Sequence, residues 1–322
     1  MSYVPDPEFI SHARPILKAL HSAPPARLHD IDARRAMVEG FKSIFETTLP
    51  VQPDWVPTKY TTNNVDGAQI VLYWFANDII KHNSQPSPVI LHFHGGGYVA
   101  GNVSVFERFL ANHAATTNVP ILSVDYRLAP ESNGDGPVQD CFAGLTWLRN
   151  NANTLNIDPA RIAVMGESAG GGLAAGLALY ARDQQFSPPI AKQILIYPML
   201  DDRNTTRDER LEEFAVWRNA DSITGWTALL GKDIIGTDNV SPYAAPAGAK
   251  DLTGLPPAYI DVGELDIFRD EDLEYARKLA AAGVWVEFHL HAGVPHGFEI
   301  LAPTSDVAKR ALSDRARVCQ AF

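Results

Sequence analysis

Short apolar runs alternate with helix-like segments along most of this chain, and that rhythm most constrains its fold. Ile70 to Phe75, Val89 to Phe93, Ile121 to Asp125, Ile162 to Met165, Gln193 to Tyr197, Ala258 to Val262 and Val286 to His291 read as strands. Helical spacing fills most of the gaps, over 105–116, 138–151, 169–183, 271–282 and 305–317. Near-continuous apolar strands separated by helices predict a mostly parallel sheet covered on both faces. In such a sheet chemistry gathers at the carboxyl ends of the strands.

One of those strands runs into Gly166-Glu167-Ser168-Ala169-Gly170, and small helix-compatible residues follow. Strand, Gly-x-Ser-x-Gly, then helix is the pattern of a sharp turn with a serine at its tip. A side chain at either flanking glycine would crowd the neighbouring strand or the first helical turn. A serine hydroxyl is a weak nucleophile at neutral pH, so a base must activate it.

A second strand ends in His94-Gly95-Gly96-Gly97. Consecutive glycines let backbone amides converge on a point where a carbonyl oxygen gains charge. Gly96 and Gly97 are the expected oxyanion donors, joined by the amide of Ala169, while Gly95 shapes the turn. Neither Gly-Lys-Ser/Thr nor a helix-opening Gly-x-Gly-x-x-Gly is present to support a phosphate loop.

An acid and then a histidine should follow such a serine. The strand Ala258 to Val262 leads into Gly263-Glu264-Leu265-Asp266, and the last strand leads into Pro295-His296-Gly297. His296 sits on a loop, where a mobile general base is expected. Asp266, at the strand exit, is the expected acid. Glu264 points to the same side and is the alternative, and Asp261 lies deeper in the strand. A helix begins just after Asp266, so an N-terminal cap is its competing role.

Together these segments resemble the hormone-sensitive-lipase-like branch of the α/β-hydrolases, which includes arylacetamide-deacetylase-like enzymes. The matching residues are His94 to Gly97, Asp125-Tyr126-Arg127-Leu128-Ala129-Pro130-Glu131, Gly166 to Gly172, Ser241-Pro242-Tyr243-Ala244, Gly263 to Asp266 and Pro295 to Phe298. They come in the family's order over roughly residues 60 to 320. The resemblance implies Ser168 as nucleophile, Asp266 as acid, His296 as base, and Gly96, Gly97 and Ala169 as oxyanion donors. Glu167 stands where Asp is commoner, and Ile267-Phe268 where many relatives have Pro and Leu. Neither departure touches the triad.

Two segments fall outside the sheet rhythm. Residues 1–46 are helical and amphipathic, with Phe9, Ile10, Ile16 and Leu17 at helical spacing. Pro24-Pro25 interrupts them, and a second helix is expected from Asp30 to Phe45. Residues 202–236, inserted into a catalytic domain of 47–322, open polar and then carry Phe214, Trp217, Trp226, Leu229, Leu230 and Ile234. The two segments resemble the family's cap. Phe214 and Trp217 are candidate substrate-pocket residues, with simple packing of the cap as the alternative.

His92 and His94 share one strand face, as do His289 and His291, but neither pair has an obvious third metal ligand. His94 is expected to orient the glycine loop instead. Arg127 and Glu131 are expected to form a structural ion pair, with substrate contact as the alternative. No metal or cofactor is expected.

The chain has 322 residues and a net charge of -11, with no block of Lys and Arg. A nucleic-acid binder needs a basic face, and an anionic membrane would repel this charge. Cys141 and Cys319 are too few for a disulfide framework, which fits a reducing, cytoplasmic setting. No secretory signal and no bilayer-length apolar run is visible. The expected partner is a small-molecule ester, with a homodimer one option for assembly.

These readings converge on a serine carboxylesterase acting on small soluble esters through an acyl-enzyme. An amide, formamide or lactone hydrolase would use the same triad. A non-catalytic small-molecule receptor would not require it.

Overall fold

The computed structural model describes residues 3–22, 24–206 and 208–322. Met1, Ser2 and Ala23 in the N-terminal segment, and Arg207 in the insertion, lie outside the described residues. Eight strands form one sheet: β1 (Thr58–Asn63), β2 (Gln69–Phe75), β3 (Ser87–Phe93), β4 (Ile121–Asp125), β5 (Ile157–Glu167), β6 (Lys192–Ile196), β7 (Ala258–Gly263) and β8 (Val286–His291). Their order is β1-β2-β4-β3-β5-β6-β7-β8. The pairs from β4 through β8 are parallel, while β1 with β2, and β2 with β4, run antiparallel.

The helices are α1 (Pro7–Ser22), α2 (Ile31–Glu39), α3 (Phe41–Thr48), α4 (Asp78–Lys81), α5 (Val103–Thr117), α6 (Gly136–Asn150) and α7 (Ala152–Leu155). They continue with α8 (Ala169–Asp183), α9 (Glu209–Glu212), α10 (Asn219–Leu230), α11 (Arg269–Ala281), α12 (Phe298–Leu301) and α13 (Asp306–Gln320). Helix α6 packs on α8, and α5 packs on α13. The buried strands β3 to β7 supply the core through side chains such as Leu91, Phe93, Val164, Leu195 and Ile260. Each side chain of this size contributes about 1.5–3 kcal/mol on full burial.

The expected helix over Asp30 to Phe45 is two helices, broken at Gly40. Asp30 caps the first by accepting the Ala33 N–H at 3.0 Å. Helix α1 lays Phe9, Ala13 and Leu17 against Val294, Phe298, Leu301 and Val307, beside the loop carrying His296. The N-terminal and inserted segments are tied by Arg34, buried against Asp221 at 2.7 Å. The same guanidinium donates to the Ala220 carbonyl at 3.1 Å. Among the described residues no helix is long and apolar enough to cross a membrane.

Arg127 and Glu131 do not pair. Arg127 grips Asp140 of α6 through Nε and Nη2, at 2.9 and 2.7 Å, and also reaches Asp66. Glu131 instead accepts both oxygens' bonds from Arg35 of α2. Nearness in sequence put two opposite charges together, but Asp140 is fully buried and needs a cation more than an exposed Glu131 does.

Candidate active site

Ser168 sits between β5 and α8 with φ +56°, a left-handed conformation that a serine adopts only under constraint. The tightness of the turn explains the two glycines. A Cβ on Gly166 would come within 2.3 Å of the Gly170 backbone, and one on Gly170 within 2.0 Å of the Phe93 carbonyl. The Ser168 N–H donates to Ile196 O at 2.9 Å, and its carbonyl accepts from Gly172 and Met199. Its backbone is therefore pinned on both sides while the hydroxyl faces a cavity. Among the described residues no hydrogen bond occupies Ser168 Oγ.

His296 lines the same cavity. Its Nδ1 lies 2.7 Å from Asp266 Oδ2, and the other carboxylate oxygen accepts the Phe268 N–H at 3.0 Å. Asp266 is 1% exposed, so this carboxylate is shielded from solvent and held between the imidazole and the Phe268 N–H. Tyr197 and Phe268 flank the His296 ring, with centroids 4.5 and 5.3 Å away. Glu264 does not reach His296 but accepts the Gly293 N–H at 2.9 Å, bracing the loop before it. Asp266 is not the cap of α11, whose N-cap is Phe268 with no side-chain bond; its contact with the Phe268 N–H holds the turn before that helix.

Gly96 and Gly97 both have positive φ, at +123° and +59°. Their amides have no acceptor among the described residues. The Ala169 N–H opens α8, where helix geometry leaves it without an intrahelical partner. His94 holds the loop, as expected. Its Nδ1 is 2.7 Å from the Gly95 carbonyl, and its ring stacks on Tyr126 and Phe106. Burial pushes the His94 imidazole down to about 4, so it is neutral near pH 7.

His92 faces elsewhere, with Nε2 2.9 Å from Glu167 and Nδ1 3.0 Å from Ser123. Burial works to raise the Glu167 carboxyl, but the charge and hydrogen bond of His92 hold it below its ordinary value. His289 meets Glu287 and Asp314 at the surface. Arg317 bonds to both of those acids and supplies the positive charge of the cluster.

The cavity wall comes from several parts of the chain, Phe106 of α5 and Tyr197 after β6 among them. Met37, Val38 and Phe41 come from α2 and α3, Val216 and Trp217 from the insertion, and Ile300 and Leu301 from α12. Trp217 thus lies where the sequence suggested. A Cβ on Gly97 would fall 2.0 Å from its ring, so loop and indole are fitted to each other. Phe214, half-buried, is not part of this lining, and Val216 takes the place expected for it.

A family model described as alpha/beta hydrolase fold matches residues 90–300. Esterase LipI of Mycobacterium tuberculosis is 34% identical over 88% of this chain and 87% of its own length. The chain belongs to the hormone-sensitive-lipase-like esterases. Carboxylesterase NlhH of the same organism is 38% identical over 70% of both chains. Among solved structures, a bacterial heroin esterase superposes with a TM-score of 0.87 at 35% identity, covering 98% of this chain and 97% of that one. Members of this esterase family are carboxylic ester hydrolases, and so is this chain.

Behind His296 lies a charge cluster that the sequence did not reveal. Arg315 of α13 grips Asp261 of β7 through Nε and Nη2, at 2.7 and 2.9 Å, and Glu299 through Nη1 at 2.6 Å. The Tyr197 hydroxyl donates to the same Glu299 oxygen at 2.6 Å. All three charged groups are buried. Arg315→Met would strand two carboxylates in the core, and we expect a loss of about 3–5 kcal/mol in urea unfolding. A loss under about 1 kcal/mol would show that water compensates the pair.

Proposed function

We propose that this esterase hydrolyses small esters by a Ser168–His296–Asp266 triad through an acyl-enzyme. The observation that carries the reading is the Asp266–His296 bond of 2.7 Å on the cavity that Ser168 enters from its strained turn. Ser168 Oγ attacks the ester carbonyl while His296 takes its proton, and Asp266 keeps the imidazole in the required tautomer. Closure of the Ser168–His296 bond accompanies substrate entry. The unoccupied amides of Gly96, Gly97 and Ala169 stabilise the oxyanion. His296 then protonates the departing alcohol, and water releases the acid by the same steps in reverse. The arrangement requires no cofactor.

The substrate class follows from the walls. The cavity holds about 70 Å³ and its lining is largely apolar. The N-terminal and inserted segments act as a cap that excludes water and limits the length of the acyl chain. Cys141 and Cys319 are buried free thiols, in keeping with a reducing, cytoplasmic setting.

The test is a rate profile on p-nitrophenyl esters from acetyl to palmitoyl, below and above the concentration at which each forms micelles. The highest kcat/KM is expected at the short end, with no jump at the micelle point, since the space beside Ser168 is small and walled by the N-terminal and inserted segments. A maximum at the longest chain, or a jump, would turn the cap into a lipid-facing lid. No hydrolysis of any ester would overturn the triad itself.

A further inference from the structure

A second cavity of about 190 Å³ lies between α3, α5, α12 and α13. It is larger than the space beside Ser168, and one side chain, Ile300, lines both. The rest of the partition is aromatic. Phe45 faces the second cavity, and its ring lies 5.7 Å from Phe106 on the active-site wall and 5.5 Å from Phe109 on the far wall. Phe41, on the active-site side, is 6.4 Å from Phe45.

Resting on the triad reading above, we propose that Ile300 sets the acyl-length limit of this esterase by closing off the cavity behind it, which takes the tail of a medium-chain acyl group only where that side chain is cut back. Ile300 is placed for this role by the catalytic loop itself. It follows His296 by four residues, in a short helix whose Ile300 N–H donates to the Gly297 carbonyl at 3.0 Å. Its side chain therefore stands beside the base and closes the cavity at a fixed depth from Ser168. Beyond it, Phe45, Leu49, Phe109, Pro303 and Leu312 offer apolar surface to a hydrocarbon tail. Glu299 also borders this space, with one carboxylate oxygen held by Arg315 and by the Tyr197 hydroxyl.

Truncating Ile300 joins the two spaces, and filling the second undoes the gain. Ala316 lines the far cavity from the middle of α13, so Ala316→Phe projects a ring into it. The experiment measures kcat/KM for octanoyl and acetyl p-nitrophenyl esters in wild type, Ile300→Val, Ile300→Ala and the Ile300→Ala/Ala316→Phe double variant. The octanoyl-to-acetyl ratio cancels any loss common to both esters. It is expected to rise about tenfold in Ile300→Ala, by a smaller factor in Ile300→Val, and to return near the wild-type ratio in the double variant.

An unchanged ratio in both single variants, with either one still folded by its melting temperature, overturns the proposal. So does a gain that survives Ala316→Phe, because the tail would then lie elsewhere. Failure of the wild type to cleave even the acetyl ester would instead count against the triad reading, which separates the two claims.

Discussion

Ser168→Ala is expected to lower kcat/KM for a short ester by at least about a thousandfold while the melting temperature stays within error. Nucleophile and base act as one unit, so removing either removes most of the chemical acceleration. The amides proposed as oxyanion donors remain, and they should leave a small residual rate. Stability should hardly change, because no hydrogen bond among the described residues uses the hydroxyl. The bonds pinning the turn come from the Ser168 backbone, to Ile196, Gly172 and Met199, and alanine keeps them. Alanine also meets the same left-handed φ as serine, so no new strain enters. Mass spectrometry after organophosphate treatment provides a second readout, with stoichiometric label on the Ser168 peptide in wild type and none in the variant. Stoichiometric label on another serine would move the nucleophile elsewhere.

The sheet, the Ser168 turn and the glycine loop were legible because their signals are local, while Asp266 and His296 were placed by the order in which they follow the serine. An apolar strand followed by Gly-x-Ser-x-Gly or by the glycine loop states its geometry within a dozen residues. The strand β1 was not legible. Its Thr58 to Asn63 are mostly polar, and as an edge strand it is wet along much of its length. The break between α2 and α3 rests on Gly40 alone, and a single glycine inside a helical pattern is tolerated too often to announce a break.

Choices among tertiary partners were also hidden. Arg127 found Asp140 rather than the nearer Glu131, and Arg315 found Asp261 and Glu299 from elsewhere in the chain. The cavity wall escaped for a related reason. Met37, Val38 and Phe41 have the same helical spacing as core residues, and periodicity does not distinguish a face that packs from one that lines a void. Between Phe214 and Trp217 the chain is irregular, so no period ranked one above the other. The fit of the indole to Gly97 could be seen only in three dimensions.

Asp266→Asn is expected to cost about ten thousandfold in kcat/KM, far more than Glu264→Gln. In the native arrangement His296 Nδ1 donates to Asp266 Oδ2, which leaves Nε2 free to accept the proton from Ser168. An asparagine of the same size can turn its amide N–H₂ toward Nδ1, because its oxygen remains committed to the Phe268 N–H. Nδ1 must then be the acceptor, the proton moves to Nε2, and the base faces the serine already protonated. The lost negative charge also stops stabilising the imidazolium that forms during attack. Glu264 stands one step away. Among the described residues its carboxylate accepts only from the Gly293 N–H, and glutamine still offers an oxygen there. Its backbone carbonyl, which accepts from Arg269 at 3.0 Å, is untouched. The comparison is of kcat/KM across pH for both variants, each with an unchanged melting temperature. For Asp266→Asn the rate should recover partially at high pH, where hydroxide generates alkoxide without the base. A larger loss for Glu264→Gln would assign the acid to Glu264 and leave Asp266 only to hold the turn leading into α11.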